Sequence, residues 1–122
     1  MNETPKKDPL KILVLIKSNP FVSPRGVEGI RMALGLGSGV NQVEIILTGE
    51  APFLLTEERE QILDYETLEK YISSFEDADQ PFYIEEGFLE KHPDFETVYR
   101  YEPVTKKIIS EKIAVGDKFL IF

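Results

Sequence analysis

The stretch LVLIKSNPFVSPRG, residues 13–26, decides the fold. An apolar, branched run, Ile12 to Ile16, stops abruptly at Lys17. A strand covered on both faces reads this way, as in the middle of a parallel sheet. A proline-bracketed loop follows. Ser23 then Pro24 predicts a helix start, with the serine as cap and the proline at the first helical position. Val27, Ile30 and Leu34 repeat at helical spacing, and the glycines of GLGSG, residues 35–39, predict the stop.

The same alternation continues outward. Val43 to Leu47 and Phe82 to Ile84 read as strands, Phe95 to Tyr101 as a fourth, and Phe119 to Phe122 as a fifth. Between them, Thr56 with Glu57 and Glu58 predicts a helix start. Tyr65, Leu68, Ile72 and Phe75 carry the helical period onward. Pro103 is expected to open the last helix, with Val104, Ile108 and Ile109 inward and Gly116 as its cap. Strand and helix in alternation give an α/β fold with a mostly parallel five-stranded sheet and helices on both faces. Right-handed crossovers bring the strand ends, and their loops, to one edge.

Bulk properties narrow the function. A chain of 122 residues with 42% hydrophobic and 30% charged residues is one ordinary globular domain. We expect a frayed leader at residues 1–9 and a single domain at 10–122. The net charge of −8 argues against nucleic acid and anionic membranes as partners, and permits a basic partner protein. The chain has no cysteine, which removes disulfides, zinc–thiolate sites, iron–sulfur clusters and any thiol nucleophile. One histidine builds no multi-histidine metal site. No metal or cofactor is expected. The short apolar run is neither a signal segment nor a membrane span, so a cytoplasmic protein is expected.

The loop after the first strand is a poor phosphate cradle. Ser18, Asn19, Ser23 and Arg25 are polar, but Phe21 and Val22 are bulky, and Pro20 and Pro24 remove amide donors. GLGSG follows a helix, whereas a dinucleotide fingerprint follows a strand. Among paired carboxylates, Glu57/Glu58 reads as a solvated helix start and Asp77/Asp79 as a polar turn. Only Glu85 and Glu86 sit just past a strand end, where a site belongs, and His92 lies in the same segment. Even there, a solvated loop and a surface histidine are the commoner explanations. The segment APFLL, Ala51, Pro52, Phe53, Leu54 and Leu55, allows two readings: an exposed patch for a partner, or residues tucked under the sheet edge.

In order, the elements resemble the DsrE/DsrF-like family of sulfur-relay proteins, and most closely its DsrF/TusC-type subunits. Four pieces carry the resemblance. The first is KILVLIKSNPFVSPRGVEGIRMALGL, residues 11–36. The second is VEIILTGEAPFLLTEE, residues 43–58, a strand followed by the family's apolar turn. FYIEEGFLEKH, residues 82–92, is a strand leading into a small helix, and GDKFLIF, residues 116–122, ends the chain. The resemblance implies a three-layer α/β/α sandwich that assembles with related subunits. It also implies a persulfide-bearing cysteine just after the third strand, a position held here by Glu85 or Glu86. A carboxylate cannot replace a thiolate in that chemistry. The resemblance therefore implies a non-catalytic subunit of a sulfur-relay complex, a homo- or hetero-oligomer, with a cysteine-bearing carrier among its partners. Ala51 to Leu55 and Glu85 to His92 would lie near interfaces or the vestigial site. The alternative is a small-ligand binder or enzyme using Ser18, Asn19, Arg25 and Glu85 or Glu86 around the strand ends.

Overall fold

The computed structural model describes residues 9–122; residues 1–8 of the expected leader lie outside the described residues. Five strands form one parallel sheet: β1 (Lys11–Ile16), β2 (Gln42–Leu47), β3 (Phe82–Glu85), β4 (Tyr101–Val104) and β5 (Lys118–Ile121). Their spatial order is β4-β3-β2-β1-β5. The apolar run that opened the sequence is the centre strand, and its flanking pairs, Leu13 with Glu44 and Leu13 with Phe119, fix the register.

Alternation along the strands feeds two cores. Ile12, Val14 and Ile16 face α1 (Arg25–Gly37), α2 (Tyr65–Ile72) and α3 (Glu86–Lys91), in one large cluster with Val27, Ile30, Leu68 and Phe88. Leu13, Ile46, Tyr83 and Val104 face the other way, against α4 (Lys106–Val115). This is the three-layer α/β/α sandwich. The layers are unequal: Ile109 is the one buried residue of α4. Burial of such a side chain contributes roughly 1.5–3 kcal/mol, so α4 needs further attachments.

Several boundaries differ from the sequence reading, each for a local reason. Helix α1 begins at Arg25, not Pro24; the Ser23 hydroxyl accepts from the Arg25 amide at 3.2 Å. It also runs through Gly35 to Gly37 rather than stopping at the first glycine. No helix forms at Thr56. Arg59 turns back there, donating to the Thr56 carbonyl and to Glu69, each at 2.8 Å. Helix α2 begins at Tyr65, after Asp64 in a left-handed conformation (φ 63°), and Thr67 donates to the Asp64 carboxylate at 2.7 Å.

The fourth strand is Tyr101–Val104, not Phe95–Tyr101. Phe95 and Tyr99 mimic strand alternation, yet they pack against Phe88 and Phe82 as parts of a loop. Pro103 lies within β4, which its edge position permits. Thr105 opens α4 instead, its hydroxyl accepting from the Ile108 amide at 3.1 Å. Val104 is buried in the strand, and Ile108 is 40% exposed rather than inward.

Candidate functional site

All five strands run in one direction, so their carboxyl ends share one rim. The β1 turn is closed by its own atoms. Asn19 Oδ1 accepts from the Phe21 amide at 2.9 Å, and the Asn19 carbonyl accepts from Val22 and Ser23. Such an Asx turn explains Asn19 without a ligand. Ser18 is half-buried beside it. Arg25 donates to the Ile121 carbonyl at 3.2 Å, with its guanidinium 5.9 Å from the Phe122 ring centroid. It ties α1 to the end of β5. Glu85 closes β3 and is half-buried; Glu86 opens α3 and is exposed.

Ala51 to Leu55 form a short helical turn against the large core. Ala51, Pro52, Leu54 and Leu55 are buried there, so their apolar surface is already covered by this chain. Only Phe53 keeps exposed surface, and it leads to the largest gathering of aromatic rings. Phe53 sits 5.1 Å from Phe88 and 4.9 Å from His92, centroid to centroid. Phe88 in turn meets Phe95 at 5.2 Å, and Phe95 meets Tyr101 at 5.8 Å. These rings continue the core up to the surface.

There they floor an open groove of about 840 Å³. Phe53, His92, Phe95 and Tyr101 line it, and so do the carboxylates Glu57, Glu58, Asp94 and Glu96. His92 Nε2 lies 3.8 Å from Glu50. Two hydrogen bonds fix the walls. The Thr97 hydroxyl donates to the Leu55 carbonyl at 2.7 Å, and Arg59 holds the Thr56 carbonyl from the other side. Of the sequence candidates, Phe53 and His92 meet in this groove. Ser18, Asn19, Arg25, Glu85 and Glu86 line neither it nor a smaller cavity of about 490 Å³ between α1 and the segment before β3. Among the described residues, no three acidic or histidine side chains gather closely enough to hold a metal ion.

A second polar feature escaped the sequence reading. Glu44, in the middle of β2, is buried beneath α4. It takes Lys112 at 2.7 Å and Lys11 at 3.3 Å. Burial pushes its carboxyl up, but the two ammonium groups outweigh that and hold it below the ordinary 4.5. Tyr83 beside it is pushed up to about 12, first by burial and then by the Glu44 charge. The only sequence signal was one glutamate inside an otherwise apolar strand. These groups saturate one another and are covered, which makes them a fastening rather than a reactive site.

No protein-family model matches the chain, and no curated protein does. Among solved structures it is similar to the ychN protein from E. coli, with a TM-score of 0.76 over 93% of this chain and 99% of that one. Identity between the two is 14%. The likeness shows the fold alone, a five-stranded parallel sheet with helices on both faces. Among the described residues, no helix is long and apolar enough to cross a membrane.

Proposed function

We propose that this chain is a non-catalytic subunit or accessory protein of a persulfide-transfer assembly, acting by docking to related subunits, of which one bears the cysteine. One observation carries the reading. Within the elements that resemble the sulfur-relay family, β3 leads directly into α3 through Glu85 and Glu86, and the whole chain lacks cysteine. Carboxylate oxygens form no persulfide, since the transfer needs a thiolate sulfur to attack and leave. Such a chain contributes shape and surface to an assembly, while the sulfur travels on another subunit. The DsrF/TusC-type assignment belongs to the same proposal and rests on the four sequence pieces.

The rival reading, a small-ligand pocket at the strand ends, has less support. Asn19 closes its own turn, and Arg25 is engaged by the end of β5. Native mass spectrometry of the full chain with the products of adjacent genes tests the proposal. A defined complex containing a cysteine-bearing subunit is expected. A chain that remains monomeric and joins none of them would sink it.

A further inference from the structure

The groove above the helical turn Ala51–Leu55 has a composition that the assembly role does not require. Its floor is aromatic and its rim is acidic. Phe53, Phe95 and Tyr101 are half-buried, each with part of its ring surface open. Val98, on the same wall, is 63% exposed. Around them stand Glu57, Glu58, Asp94 and Glu96, all exposed. Among the described residues, none of these carboxylates is paired with a cation. Lys91 is the one lysine or arginine lining the groove.

We infer that this groove is a docking site for a basic, partly apolar segment of a partner protein, with arginine or lysine side chains alternating with aliphatic ones. Three features select that occupant. Charge complementarity comes first: the rim is acidic and the whole chain carries −8, so a cationic segment is drawn in and an acidic one repelled. Guanidinium and ammonium groups also gain from lying over exposed ring faces. Second, the apolar floor and Val98 leave surface that a bare polyamine or metal ion would not cover, and a volume of about 840 Å³ suits several side chains rather than one ion. Third, the walls are fixed before binding: Thr97 ties one to the Leu55 carbonyl, and Arg59 braces the other between Thr56 and Glu69. A groove already in shape loses little entropy when filled.

This goes beyond the assembly proposal and stands apart from it. A basic segment docks here whether or not its owner carries sulfur.

The test is a titration of the full, isotope-labelled chain with a capped synthetic peptide of alternating arginine and leucine, followed residue by residue by NMR. Saturable shifts are expected at residues 56–58 and 91–98. Glu57→Gln with Glu58→Gln, or Asp94→Asn with Glu96→Gln, should weaken binding roughly tenfold, and added salt should weaken it further. Val98→Ser should weaken it in a salt-independent way. All these side chains are exposed, so the variants keep the fold, which their unchanged spectra would verify. The inference is overturned if no saturable shifts occur, or if they map elsewhere. It is equally overturned if the neutralised variants bind as well as the parent. Spermidine giving the same shifts at the same affinity would reduce the effect to diffuse charge attraction and also overturn it. Loss of peptide binding leaves subunit stoichiometry untouched, so the two proposals fail separately.

Discussion

Lys112 of α4 places its ammonium 2.7 Å from a carboxylate oxygen of Glu44 on β2 and 4.0 Å from the centre of the Tyr83 ring on β3. One side chain thus joins a helix to two strands. With Ile109 as the only buried residue of α4, this contact supplies much of the helix's attachment. Lys112→Ala leaves Glu44 buried with Lys11 alone, and should destabilise the protein by roughly 2 kcal/mol. Combining Lys112→Met with Glu44→Gln should cost less than the two single changes added together, because neither charge is then stranded. Urea denaturation of the parent, the three single variants and the double variant gives both numbers.

The same cluster predicts how stability responds to acid. The folded-state carboxyl of Glu44 titrates below the ordinary 4.5. Its stabilisation is therefore complete above that value and is lost as pH falls through the folded value. Glu44→Gln should flatten the acid side of the stability curve, read as the urea midpoint at a series of pH values below about 5.

Tyr83 predicts the alkaline side. Its hydroxyl titrates near 12 in the folded protein against 10.0 in the free side chain, from burial first and the Glu44 charge second. A raised value favours the folded state below 10.0, and that contribution disappears as pH rises towards 12. Tyr83→Phe should lessen the alkaline loss of stability. Phenolate absorbance of the parent protein should show two tyrosines ionising late, Tyr83 and Tyr99, since burial also raises Tyr99, and Tyr83→Phe should remove one of them.

Gly116 closes α4 where the chain passes over Leu13. A Cβ there would lie 2.3 Å from Leu13 Cδ1, so the end of the fully buried Leu13 side chain would have to shift within the core. Gly116→Ala should cost about 1–3 kcal/mol, seen as a lower thermal midpoint. Gly35 meets nothing within 4 Å, so Gly35→Ala serves as the neutral or slightly stabilising control.

Much of this was legible in the sequence, for reasons that individual residues make plain. The run Ile12–Ile16 announced a central parallel strand because both its faces are covered, and its short length and the turn signals after it favour a strand over a buried helix. Aromatic alternation at 95, 99 and 101 misled because rings that fill a core from a loop repeat much as strand residues do. Pro103 misled because proline suits an edge strand as well as a helix start. Thr105, two residues on, held the real cap. The groove was invisible because its two walls, residues 56–58 and 91–98, are far apart in sequence and meet only through contacts such as Thr97 with Leu55. The role of Glu44 was invisible because its partners Lys112 and Lys11 come from different elements.

The proposed role of the chain is to take part in sulfur transfer without carrying sulfur. The most direct measurement loads the co-purified complex with a persulfide donor and weighs each subunit by mass spectrometry. Added sulfur is expected on a cysteine-bearing partner, with an unchanged mass for this chain and slower transfer when this chain is left out. A partner that loads and transfers equally well without this chain would contradict it.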